Sequence, residues 1–145
     1  MSAFLIFPHQ LFEETLAQEA AIFYVVESEL FFKQYAFHKQ KILFHRASMQ
    51  AFADRLRSAG KRVEYIDAQD PRASEVALVS SIEGAISLFD PNDYLLERRL
   101  GRAGDIHHAG RVDPLAADRR TVRLPRGVHD RNGVVTRIKR TRPTI

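Results

Sequence analysis

A run of cations, histidines and aromatic residues over residues 31–57 is the part of the sequence best suited to chemistry. Its closely spaced charged and titratable members are Lys39, Lys41, Arg46, His38 and His45. The cluster predicts a binding site for a phosphate, a polyanion or an acidic partner. The alternative is a solvated helix face. A metal ion shared on a helix is excluded, because His38 and His45 are seven residues apart rather than four.

Polar residues also follow three of the predicted strands, where open parallel sheets bind their ligands. Pro8, His9 and Gln10 come directly after the first strand, Glu27 ends the second, and Asp90 ends the fourth. The Glu27 carboxylate is suited to a ribose or ribityl hydroxyl or a ring N–H group, and the imidazole and amide offer further polar groups. The alternative for each is a loop residue facing water or a helix cap.

The elements that must position these residues alternate between strands and helices. Strands are predicted at 3–7, 21–27, 62–67 and 85–90, and helical patterns at 33–59 (broken near residues 44–45), 73–83 and 94–102. A fifth strand is due near 105–112, although that segment has a poor strand pattern. The alternation predicts an α/β fold with an open, mostly parallel sheet of four to five strands and helices on both faces.

Several common sites are excluded by their missing sequence signatures. The chain contains no Gly-x-Gly-x-x-Gly after a strand, no Gly-Lys-Ser/Thr and no Gly-x-Ser-x-Gly. The standard dinucleotide, P-loop and hydrolase sites are therefore not expected. Cysteine is absent as well, which excludes cysteine-held zinc or iron–sulfur groups from this chain and fits a cytoplasmic protein. No apolar run is long enough to span a membrane.

The charge is divided unevenly along the 145 residues. Residues 1–94 carry 9 Lys+Arg and 13 Asp+Glu and all 14 aromatic residues, whereas residues 95–145 carry 13 Lys+Arg and 5 Asp+Glu. We therefore predict an α/β domain over 1–104 and a basic, irregular or disordered tail over 105–145. An Arg-rich tail is a weak indication of DNA binding. The alternative function is thus a small non-enzymatic nucleic-acid-binding or interaction protein that uses this tail.

The segments Phe4-Leu-Ile-Phe-Pro-His-Gln-Leu-Phe12, His38-Lys-Gln-Lys-Ile42 and Phe52-Ala-Asp-Arg-Leu56 identify a family resemblance. Together with Ala47-Ser-Met49 and Arg62-Val-Glu-Tyr65 they resemble the amino-terminal domain of the deoxyribodipyrimidine photolyase-related proteins. These are the bacterial iron–sulfur branch of the cryptochrome/photolyase family, and the resemblance covers roughly residues 3–102.

The resemblance implies a Rossmann-like domain with strand order 3-2-1-4-5, termed flavodoxin-type, that carries a light-harvesting lumazine or flavin-type antenna chromophore. Many lumazine-binding relatives have Gly-Asp-Gln-Leu where this chain has Pro8-His9-Gln10-Leu11. FAD, the iron–sulfur cluster and DNA repair are expected only in a further helical domain that this sequence lacks, so the chain alone is expected to be inactive. The residues predicted to line a chromophore pocket are Pro8, His9, Gln10, Glu27, Phe32, His38 and Asp90.

The sequence after residue 104 departs from the family. Its Arg-rich, Lys-poor and aromatic-free composition is typical of GC-rich coding DNA translated in a shifted frame. One hypothesis is therefore a truncated, frameshifted photolyase-like chain. Another is a remnant that does not fold stably, in which a missing fifth strand leaves a sheet edge unpaired. Nothing in the sequence indicates an oligomeric state.

Overall fold

A five-stranded, all-parallel sheet forms the centre of the domain. The structure, a computed structural model, describes residues 1–110. Its strands are β1 (Ser2–Ile6), β2 (Ile22–Val26), β3 (Val63–Ile66), β4 (Ala85–Leu88) and β5 (His107–His108). Their order is β3-β2-β1-β4-β5, so the predicted α/β class and strand order are confirmed. This is the order of the doubly wound dinucleotide-binding sheet, whereas flavodoxin-type sheets follow 2-1-3-4-5, so the sheet is better termed Rossmann-type.

The central strand β1 is apolar because helices cover both faces of the sheet. Phe4 and Ile6 pack into one core, whereas Leu5 and Phe7 pack into the other. Adjacent side chains of a strand point to opposite faces, so a strand buried on both sides has no polar alternation. In register, Phe4 lies opposite Phe23 of β2 and Ser87 of β4.

Within residues 1–110, four α-helices complete the two layers: α1 (Glu29–Phe32), α2 (Lys39–Ser58), α3 (Glu75–Ser81) and α4 (Tyr94–Ala103). Short 3-10 helices span Glu13–Ala17 and Pro71–Ala73. The predicted apolar stripe of α2 is buried in the first core: Met49, Phe52, Ala53 and Leu56. The second core contains Leu78 of α3 and Leu96 of α4.

The predicted break of the long helix near residues 44–45 is wrong. The interruption lies at 33–38, between α1 and α2, and α2 then continues for 20 residues. Ser28 caps α1 by accepting from the Leu30 N–H, and the ring of His38 caps α2 by accepting from the Gln40 N–H. Gly60 follows α2 with φ +80°, the left-handed conformation that favours glycine after a helix.

The weakly patterned segment after α4 does form a strand. The two residues of β5 pair with Ser87 and Leu88 of β4, so this edge is covered over that short length. β5 lies beyond residue 104, where we predicted the domain boundary. The two tail strands considered at 121–124 and 134–138 lie outside the described residues. Within residues 1–110, no helix is long and apolar enough to cross a membrane.

Candidate functional site

The carboxyl ends of β1 and β4 lie side by side where the strand order reverses. Side chains that follow β1 form hydrogen bonds with backbone carbonyl groups that follow β4. His9 Nε2 lies 2.6 Å from the Pro91 carbonyl oxygen. Gln10 Nε2 donates to the Phe89 carbonyl oxygen at 2.8 Å. In doubly wound sheets, ligands bind outside the carboxyl ends of the strands at this topological switch point. The structure thus brings together four of the predicted residues: Pro8, His9, Gln10 and Asp90.

The buried side-chain amide of Gln10 has one hydrogen-bonding atom without a partner at this edge. The residue is 2% exposed, and its Oε1 atom has no hydrogen-bond partner among the described residues. A buried amide oxygen without a partner costs free energy comparable to a lost hydrogen bond. The amide is held by its donor side, so Oε1 is a buried acceptor without a partner among the described residues.

His9 lies beside aromatic and basic neighbours. Its ring centroid is 5.0 Å from that of Phe31, and it interacts electrostatically with His45. Burial lowers the pKa of His9, although the Pro91 carbonyl and the Asp93 carboxylate act in the opposite direction. Because a carbonyl only accepts hydrogen bonds, neutral His9 carries its proton on Nε2, which leaves Nδ1 as an acceptor.

Glu27, at the end of β2, differs from Gln10 because all of its hydrogen-bonding capacity is used by the protein. Its side chain is 0% exposed and forms a two-point ion pair with Arg46 of α2, with both N–O distances 2.7 Å. The Tyr65 hydroxyl donates to Oε1 at 2.6 Å, and the Ala68 N–H donates to Oε2 at 2.9 Å. Both oxygens therefore accept two hydrogen bonds from the protein itself. The carboxylate ties α2 and β3 to the end of β2.

These contacts set the ionisation of the cluster. Burial alone would raise the pKa of Glu27, but the hydrogen bonds from Arg46, Tyr65 and Ala68 outweigh it and lower the pKa. Burial and the neighbouring Glu27 carboxylate raise the pKa of Tyr65 well above its usual range. Glu27 is thus an ionised anchor whose charge is compensated internally.

The remaining predicted residues have structural contacts. Phe32 is buried in the first core, where its ring lies 6.3 Å from that of His45 and 5.9 Å from the Arg46 guanidinium. His38 is exposed and caps α2. Asp90 Oδ1 accepts from the Asn92 N–H at 3.0 Å in the turn before α4.

A second buried acid was missed by the sequence analysis. Glu75, the first residue of α3, is 1% exposed. It accepts from the Ser28 hydroxyl and from Arg99 of α4, whose Nη1 is 3.2 Å from Oε2. The separations along the chain, 47 residues to Ser28 and 24 to Arg99, leave no local pattern by which to find it. Within residues 1–110, no three His, Asp or Glu side chains are arranged to hold a metal ion.

Comparison with known proteins identifies the family of this domain. Residues 4–111 match the model of the family described as deoxyribodipyrimidine photo-lyase-related protein. The chain belongs to this photolyase-related family. The match includes β1 from Phe4 onward, the whole of the other four strands and all the residues of the carboxyl edge described above.

One similar protein is an uncharacterized protein of Acanthamoeba polyphaga mimivirus. It is 30% identical to the photolyase-related chain over 114 residues, which cover 72% of this chain and 58% of the viral protein. The chain therefore spans little more than half the length of that relative. The similarity supports a domain shared by the two proteins. It does not extend to the activity of the longer protein.

Proposed function

We propose that this photolyase-related domain binds an antenna chromophore of the lumazine or flavin type at the carboxyl edge of β1 and β4. Such a chromophore, when bound, absorbs near-ultraviolet or blue light. The observation that supports the proposal is the buried Oε1 of Gln10, which lacks a partner at the switch point of the sheet. Lumazines and flavins carry ring N–H or ribityl O–H groups that such an oxygen would accept.

The neighbouring side chains suit an aromatic ligand with polar substituents. Phe31 is half-buried and its ring lies beside the His9 ring at an interplanar angle of 35°, so the two offer partly accessible aromatic faces. His9 Nδ1 is a second acceptor once Nε2 has bonded to Pro91. Lys41, which acts electrostatically on His45, brings positive potential to the same side, which suits a ligand with a phosphate or an ionised ring.

Three of the seven predicted pocket residues have structural roles in this proposal. Glu27 already has four donors and Phe32 fills the core, so both support the edge rather than contact the chromophore. The ring of His38 caps α2. FAD, the iron–sulfur cluster and any DNA repair belong, in this proposal, to a part of a photolyase-related protein outside this sequence.

The direct test is a binding titration with the purified full chain. We expect 6,7-dimethyl-8-ribityllumazine or FMN to lose fluorescence on binding, and Gln10→Leu to weaken that binding at least tenfold. Gln50→Leu is the matched control, because Gln50 is exposed on α2 and lies outside the switch point. Failure of both compounds to bind the wild-type chain would contradict the proposal, as would equal binding by Gln10→Leu.

The charge of the tail supports a second candidate function, binding of nucleic acid through residues 105–145. This segment has 10 Lys+Arg against 4 Asp+Glu. Binding through phosphates alone falls steeply with salt and does not depend on base stacking. Loss of DNA binding in Arg119→Gln/Arg120→Gln, in a chain that binds neither the lumazine nor FMN, would favour this candidate over the antenna role.

A further inference from the structure

An exposed aromatic surface surrounds the start of α2, and we name it the aromatic–lysine surface. Its residues are Tyr35, Phe37, Lys41 and Phe44, with Lys33 and Lys39 beside them. Phe44 is 71% exposed and Tyr35 is 59% exposed, and both belong to the few large apolar or aromatic side chains that face solvent within residues 1–110. The Tyr35 and Phe37 rings meet edge to face at 5.8 Å.

Positive charge accompanies these rings. Lys41 Nζ lies 4.6 Å from the centre of the Phe37 ring. Residues 30–53 contain no Asp or Glu, although residues 1–94 as a whole have 13 acids against 9 Lys+Arg. Within the described residues, none of Lys33, Lys39 and Lys41 forms an ion pair. The surface is therefore a basic patch on an otherwise acidic domain.

We propose that the aromatic–lysine surface binds a single strand of nucleic acid. Sites for single strands combine lysines that contact phosphates with exposed rings on which bases stack. In a duplex the base faces are covered, so these rings would contribute nothing to duplex binding. An acidic protein surface would satisfy the lysines but would leave Tyr35 and Phe44 without a matched partner.

The residues of this surface differ from those proposed to contact the chromophore, except that Lys41 supplies positive potential to both. Phe44 extends from α2 at a position three residues after Lys41, so the two side chains lie on adjacent parts of one helix face. Phe44 also approaches His45, with ring centroids 6.3 Å apart. Phe44 is the most informative position to change, because it is the most exposed ring of the aromatic–lysine surface.

Fluorescence anisotropy of the full chain with a labelled oligothymidylate of about 16 nucleotides tests the proposal. We expect Phe44→Leu to weaken binding about tenfold, because leucine keeps the apolar area but cannot stack. Phe44→Tyr should retain binding. Lys39→Gln/Lys41→Gln should weaken binding and lower the slope of log K against log salt by about 1.4, since two phosphate contacts are lost.

Matched controls lie elsewhere on the domain. Tyr94 is 72% exposed, so Tyr94→Leu removes an equally accessible ring outside the surface. Arg62→Gln removes a cation before β3, at the amino-terminal edge of the sheet. Both should bind as the wild type does. The proposal is overturned if Phe44→Leu binds like the wild type, or if Arg119→Gln/Arg120→Gln alone abolishes binding. It is also overturned if a DNA duplex binds the wild-type chain as tightly as the single strand does and is affected equally by the same substitutions. A third contradicting result is that poly-glutamate displaces the labelled oligonucleotide as well as unlabelled oligonucleotide does.

Discussion

The ends of β1 and β2 are neighbours at one edge of the sheet, yet their buried polar residues differ in one respect. Glu27 at the end of β2 has four hydrogen-bond donors from Arg46, Tyr65 and Ala68. Gln10 after β1 donates one hydrogen bond and has an oxygen without a partner among the described residues. A polar residue at a strand end is therefore a candidate ligand contact only where the protein leaves one of its groups unpaired.

The largest expected effect on stability concerns Glu27 at the end of β2, whose hydrogen bonds are all made within the protein. Arg46→Met removes the ion-pair partner of a fully buried carboxylate. Loss of one partner of a buried pair typically costs about 3–5 kcal/mol. We expect about 2–3 kcal/mol here, because the Arg46 side chain is 38% exposed and water can reach part of the site. Urea unfolding followed by circular dichroism measures the change.

The control for this variant is Arg57→Met. Arg57 also pairs with an acid, Asp54, but both side chains are exposed. Exposed pairs contribute about 0–1 kcal/mol, so the free energy of unfolding should change little. If Arg46→Met costs no more than Arg57→Met, Glu27 is not the anchored group described here.

The two regions should also lose stability in different pH windows. His9 and His45 have a pKa lowered by burial below the usual 6.5, so the unfolded chain binds more protons and stability falls as the pH drops below 6.5. The pKa of Glu27 lies below the usual 4.5, so its contribution is present above 4.5 and is lost as the pH falls further. The melting temperature should fall less steeply below pH 6.5 in His45→Gln, in which His9 still titrates, whereas Glu27→Gln should change the profile only below pH 4.5. Identical profiles for the two variants would contradict the assignment.

A smaller effect is expected at His38, a predicted pocket residue whose ring caps α2. His38→Ala should cost about 0.5–1 kcal/mol, because the Gln40 N–H loses its acceptor. His38→Asn retains an acceptor and should restore stability, as measured by urea unfolding. A loss of chromophore binding with unchanged stability would assign His38 to the ligand instead.

The smallest effect on stability is expected at Gln10 itself. Gln10→Leu loses the hydrogen bond to Phe89 but also removes the buried oxygen that has no partner. These changes oppose each other, so the free energy of unfolding should move by less than about 1 kcal/mol. A cost of several kcal/mol in urea unfolding would show that the amide is structural in the manner of Glu27.

The sequence predicted the sheet because the strands are apolar on both faces and alternate with amphipathic helices, as the burial of Met49, Phe52 and Leu56 confirms. It did not predict that Glu27 is already paired, since the partners lie 19 and 38 residues away on different elements. A signal was present: Arg46 shares a helix face with Met49 and Ala53, which places a cation towards the core. The roles of His38 and Glu75 depend on cap geometry and tertiary packing, which spacing does not reveal.

The most direct test of the account compares chromophore binding by Gln10→Leu and Glu27→Gln in the full chain, at a pH where both variants remain folded. Dissociation constants for the lumazine or FMN are measured by fluorescence, and unfolding is measured in the same preparations. The account predicts that Gln10→Leu loses at least tenfold in affinity with little change in stability, whereas Glu27→Gln loses stability and keeps its affinity. The reverse pattern, or equal affinities in both variants and the wild type, would contradict it.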